Sequence, residues 1–123
     1  MTQEEKQLLL KDLCARLPYG VKVHGVFLNY NKDKDKILYE ECDGELNYEN
    51  LKRYETLRPY LRPMSSMTEE EKKIYDDILT KMYYDEKSTL GDISDYLNSI
   101  HVDYRGLIER GLAIAVNENN NPY

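Results

Sequence analysis

LLLKDLCARLPYGVKVHGVFLNY, residues 8–30, changes its hydrophobic period partway along. Leu9, Leu10, Leu13, Cys14 and Leu17 recur at intervals of three and four, the spacing of one helix face. From Val21 the period falls to two. Val21 and Val23 alternate with Lys22 and His24, as in a strand with one buried face. Pro18 and Gly20 stand between the two patterns, and neither continues a helix. Upstream, TQEE (2–5) sets a threonine three residues before a glutamate. That capping box predicts a helix over about residues 3–16. A helix followed at once by a half-buried strand points to an α+β domain.

Beyond Gly25 the alternation resumes on the other parity, at Val26, Leu28 and Tyr30. This predicts a bulge at Gly25 within a strand over 21–30. NKDKDK (31–36) reads as a charged hairpin connection, 37–42 as a second strand, Asp43-Gly44 as a two-residue hairpin turn, and 45–48 as a short third strand. The expected product is a small antiparallel meander. Pro59 and Pro63 keep 58–67 extended or turn-like. TEEE (68–71) is a second capping box with an acidic first turn. Ile74, Tyr75, Ile78, Leu79, Met82 and Tyr83 then stripe a helix over about 69–85, and Ile93, Tyr96, Leu97 and Ile100 a shorter one over 90–100. Residues 107–110 read as one helical turn ended by Gly111, and 112–116 as a last strand. The expected fold is a small antiparallel sheet packed against an N-terminal helix and two later helices, with the first helix and the 69–85 helix covering one sheet face. One α+β domain is expected over 1–116, followed by a flexible C-terminal tail at 117–123. An exposed edge at 112–116 or 45–48 offers a route to a homodimer.

A chain of 123 residues can bury a core without metal or disulfide staples. Its net charge of -6 disfavours nucleic acid as a partner unless a local basic patch overrides the average. Twelve tyrosines against one phenylalanine and no tryptophan fit two readings, Tyr at the margins of a small core or Tyr on a contact surface. No apolar run reaches the roughly 18 residues a membrane span needs. The acidic, polar N-terminus is no export signal, so a cytoplasmic protein with reduced Cys14 and Cys42 is expected. Cys14, on the apolar stripe, is expected as a buried structural thiol.

Catalytic patterns are sparse, and no enzyme activity is expected. His24 and His101 are the two histidines, and no HxH, HExxH or CxxC spacing or glycine-rich phosphate loop occurs, so no metal or other cofactor is expected. Two segments stand out. In 52–62, Lys52, Arg53, Arg58 and Arg62 face a single acid, Glu55, with Tyr54 and Tyr60 interleaved. Arginine beside tyrosine suits phosphate contact with base stacking, or a protein hot spot. The reading expected first is that each arginine pairs with the acidic 69–86 helix of its own fold. In 103–106, Asp103 can cap the following turn, Tyr104 can fill the core edge and Gly106 can take a positive φ, or Asp103, Tyr104 and Arg105 can line a polar pocket.

LLLKDLCARLPYGVKV (8–23), PYLRPMSSMTEEEK (59–72) and VDYRGLIERGLAI (102–114), in this order, resemble a family of small uncharacterised proteins of gut Bacteroides, their phages, prophages and other mobile elements. The resemblance implies a mobile-element setting and carries over no activity, cofactor or catalytic residue. The expected role is protein–protein binding, with an unknown partner that the host could supply. The alternative is nucleic-acid binding through the 52–62 segment.

Overall fold

The computed structural model describes residues 1–31, 33, 36–84 and 89–123, except the side chains of 28–31 and 36–39. Helix α1 spans Gln3–Arg16, and both halves of its capping box are made: Glu5 N donates to Thr2 Oγ1 at 3.1 Å and Thr2 N to Glu5 Oε1 at 3.0 Å. Its buried face is Leu9, Asp12, Leu13 and Arg16, rotated from the expected stripe, and Cys14 is exposed rather than buried. Gly20, at φ 70°, turns the chain out of a short 3-10 turn (Leu17–Tyr19) into the sheet.

Strands β1 (Lys22–Asn31) and β2 (Lys36–Glu45) pair antiparallel without interruption, from Lys22↔Glu45 to Asn31↔Lys36. The expected bulge at Gly25 is absent. Gly25 keeps the inward parity of Val21 and Val23, and Phe27 packs against the same core. The glycine is needed for another reason: a Cβ there would lie 2.6 Å from Leu57 Cδ2 and 2.7 Å from the Thr56 carbonyl. Asp43-Gly44 makes no hairpin either. The long partner strand carries the ladder through it, and the Phe27 ring lies 3.0 Å from where a Gly44 Cβ would be. Residues 45–48 form no third strand; Asn47 caps a short helix, α2 (Tyr48–Leu51). The expected 31–36 connection falls largely on residues 32, 34 and 35, outside those described.

The third strand is β3 (Arg58–Leu61), drawn from the proline-flanked segment. It runs antiparallel to β1 (Val23↔Pro59, His24↔Arg58) and parallel to β4 (Ile114–Ala115). Among the described residues the sheet order is β2-β1-β3-β4. It is a mixed sheet, not an antiparallel meander, because the connection from β3 to β4 carries α3 (Glu69–Tyr84) and α4 (Leu90–Ser99) and returns the chain in the same direction. The outer strands are β2 and β4; of 45–48 only Glu45 lies in a strand, as the last residue of β2.

Among the described residues two apolar clusters result. Leu9 and Leu13 of α1 pack on Val21, Val23, Leu57, Leu61, Leu107 and Leu112. Separately, Met67, Ile93, Leu97 and Val102 gather the half-buried Tyr75, Ile78, Leu79 and Met82 of α3. Helix α3 therefore packs on α4 instead of covering the sheet with α1. The isolated bridge Arg62↔Val102 ties the two clusters together. The 117–123 stretch, expected as a flexible tail, folds back onto the domain. Asn117 pairs with Asn120, and the Tyr123 hydroxyl accepts from Lys22 N at 2.9 Å and donates to Tyr60 O at 2.8 Å. Among the described residues no helix is long and apolar enough to cross a membrane.

Candidate functional site

Arg62 leaves β3 and enters a dense polar cluster. It donates to both Glu71 carboxylate oxygens, at 2.8 and 2.6 Å, to Ser66 Oγ and O, and to Ile100 O. Every N–H of its guanidinium is thereby used inside the fold. The arginine holds the Glu71 carboxyl down to about 2, helped by the Thr68 backbone. This is the pairing with the acidic helix that the sequence left open.

The rest of 52–62 disperses. Arg58 Nη1 donates to Glu55 O at 3.0 Å and Leu57 O at 2.7 Å. Lys52 reaches Glu49 at 3.8 Å on the surface. Arg53 is partly buried, its Nε buried without a hydrogen-bond partner. Tyr54 packs against the sheet core. Tyr60 is buried and donates to Asp43 Oδ1 at 2.7 Å; burial first, then Asp43, pushes its phenol up to about 12. Asp43 also bonds His24 Nδ1 at 2.7 Å, and Glu41 bonds His24 Nε2 at 3.0 Å. Those two hydrogen bonds raise the His24 pKa, Asp43 contributing more, so the imidazole is a structural cross-strand tie.

Asp103, Tyr104 and Arg105 come together with residues the sequence did not nominate. Asp103 caps the turn after it, accepting from Leu107 N at 3.0 Å and Ile108 N at 2.9 Å, while Gly106 takes φ 75°. The Tyr104 hydroxyl donates to Asn98 Oδ1 at 2.9 Å, and the Arg16 and Arg105 guanidiniums lie over its ring at 5.3 and 4.5 Å. Asp12 binds Arg16 Nε at 2.8 Å and Arg105 Nη1 at 2.9 Å, and Arg16 donates to Val102 O at 2.7 Å. Asp12 and Arg16 are both fully buried. One signal in the sequence could have found them: opposite charges four residues apart, in phase with Leu9 and Leu13.

A cleft of about 540 Å³ opens between this polar region and the returning C-terminal stretch. Arg62, Glu71, Ile100 and His101 line one side, Asn117 and Tyr123 the other. His101 stacks on Tyr123 with ring centroids 4.0 Å apart. Its pKa is lowered, by burial first and then by Arg16 and Arg62. Burial pushes the Tyr123 phenol up to about 12. A carboxyl at about 2 and a phenol at about 12 do not exchange protons readily near neutral pH, so these two groups suit binding and structure better than acid–base work. A second cleft of about 440 Å³ lies beside Asp103 and Tyr104, with Met64 and Ile108 in its wall. Among the described residues no group of three or more His, Cys, Asp or Glu is arranged to hold a metal.

No protein-family model, curated protein or solved structure matches the chain.

Proposed function

We propose that the chain is a small cytoplasmic accessory protein of a phage or other mobile element that acts by binding a partner protein of its host, without chemistry of its own. The observation that carries this reading is α3. The helix is 16 residues long and none of them is buried. Its apolar stripe of Tyr75, Ile78, Leu79 and Met82 is only half covered. Ile74 and Tyr83, on the margins of that stripe, are 46% and 80% exposed, and Leu90 at the start of α4 is 73% exposed. Aromatic and aliphatic side chains left uncovered along one helix are the usual material of a protein interface. The mobile-element setting rests on the resemblance of 8–23, 59–72 and 102–114.

Binding of nucleic acid through Arg53, Arg58, Tyr60 and Arg62 is the weaker reading, because Arg62 has no donor left for a phosphate and the Tyr60 hydroxyl is held by Asp43. The test is capture from lysates of gut Bacteroides strains by the wild-type chain and by an Ile74→Asp/Tyr83→Ser variant of matching circular dichroism. A partner held by the wild type and lost by the variant supports the reading. Equal capture by both, or none from any strain, contradicts it.

A further inference from the structure

Asn117, Glu118, Asn121 and Tyr123 line one wall of the larger cleft, and Tyr123 ties this stretch to the domain. Its hydroxyl takes the place of a ladder bond between β1 and β3, bridging Lys22 N and Tyr60 O just beyond the last paired residues, Val23↔Pro59. Its ring lies nearly parallel to His101, at an interplanar angle of 12°. His101 is held at φ 61°, the one non-glycine residue described with a positive φ, and its Nδ1 is buried without a hydrogen-bond partner. A non-glycine residue kept in the left-handed region costs free energy and is retained only where its surroundings over-determine it.

We propose that residues 117–123 are a strap closed over the cleft by the Tyr123–His101 contact, and that acid opens the strap by placing a charge on His101. This goes beyond protein binding and does not depend on it. Burial beneath the Tyr123 ring, more than the charges around it, makes protonation of His101 unfavourable while the strap is closed. Arg16 approaches from α1 and Arg62 from β3, both cations. The carboxylates near them are engaged: Asp12 by Arg16 and Arg105, Glu71 from α3 by Arg62. Glu118 lines the cleft on the strap side. Tyr123 offers a ring face, which alone would tolerate an imidazolium. The two guanidiniums oppose that charge whether the strap is open or closed; what closure adds is burial of the ring, with its Nδ1 left unpartnered. The lowered pKa sets the sign: with the strap closed His101 binds its proton less readily than an open imidazole, so closure is favoured above about pH 6.5 and weakens as pH falls below it. Glu71, held at about 2, stays ionised throughout that window, so the Arg62 clamp persists while the strap opens.

The experiment is NMR on the full ¹⁵N-labelled chain from about pH 7.5 to about pH 5, the range in which an imidazole changes charge. It reads the heteronuclear NOE of the 118–121 and 123 amides and the exchange of the Lys22 amide. The expected result is loss of the strap NOE values and faster Lys22 exchange at acid pH, with the β1–β2 amides unchanged. His101→Asn, which tolerates a positive φ and does not titrate, should abolish the pH dependence. Tyr123→Phe should speed Lys22 exchange already at neutral pH. A strap that stays ordered at acid pH, an equal response in His101→Asn, or loss of the whole sheet along with the strap would each overturn the proposal.

Discussion

Replacing Asp12 with asparagine keeps the shape of a fully buried side chain and removes its charge. In the wild type that charge faces Arg16 at 2.8 Å and Arg105 at 2.9 Å. Arg105 is 15% exposed and can recover some hydration, whereas Arg16 is 0% exposed and cannot. Arg16 Nη1 already lacks a hydrogen-bond partner, so nothing nearby replaces the lost carboxylate. Removing one member of a buried ion pair costs about 3–5 kcal/mol. A domain of this size has roughly 6–18 kcal/mol in total, at about 0.05–0.15 per residue. The loss is therefore a large share of the stability and corresponds to a Tm lower by roughly 10–20 °C. Urea denaturation followed by circular dichroism reads it as a lower midpoint at unchanged slope. An Asp12→Leu/Arg16→Met double variant, which removes both charges, should recover most of the deficit. An Asp12→Asn variant within about 1 kcal/mol of wild type, well under the expected 3–5, would refute the reasoning.

Acid should weaken the fold through Glu71. Its folded pKa is about 2 against an ordinary 4.5, so its contribution is present above pH 4.5 and disappears as pH falls toward 2. That contribution is roughly 3 kcal/mol at most, and a Glu71→Gln variant should show a flatter stability profile over the same range. Gly25→Ala should cost about 1–3 kcal/mol, since its methyl would meet Leu57 and the Thr56 carbonyl, and thermal melts check it. Gly106→Ala meets nothing within 4 Å and should cost only about 1 kcal/mol, from its φ of +75°. Fluorescence anisotropy with single- and double-stranded oligonucleotides at low salt should show no binding; tight, salt-sensitive binding would restore the reading based on 52–62.

Features fixed by neighbouring residues were legible in the sequence, and features fixed by distant ones were not. The capping boxes at Thr2 and Thr68 involve residues three apart, and both form with the expected partners. Asp103 and Gly106 likewise cap and turn as their types imply. Asp43-Gly44 misled because its local turn preference yields to a ladder that β1 extends to Lys22↔Glu45. Gly25 misled because Val26 looked like the next inward residue, when the inward position is Gly25 itself, emptied to admit Leu57. Parallel pairing of β4 with β3 was not legible because β3 lies in a proline-flanked segment without strand alternation, although the two helices of the crossover show their own stripes. The buried face of α1 was misplaced because charges were assigned to solvent: Asp12 and Arg16 satisfy one another and leave Cys14 outside. In the candidate site, the Arg/Tyr composition marked Tyr60, Arg62, Tyr104 and Arg105, which do meet polar partners, along with Tyr54, which packs on the apolar core, and Arg53, whose Nε has none. Composition alone could not reveal that those partners belong to the fold itself.

The central functional claim is that α3 is the contact surface. Tyr83 on α3 and Tyr48 on α2 are both 80% exposed, so each can carry a photo-crosslinking phenylalanine analogue without disturbing a core. Irradiated in host cells, the probe at 83 should give a discrete covalent adduct and the probe at 48 should not. Equal labelling at both positions, or none at 83, would contradict the account.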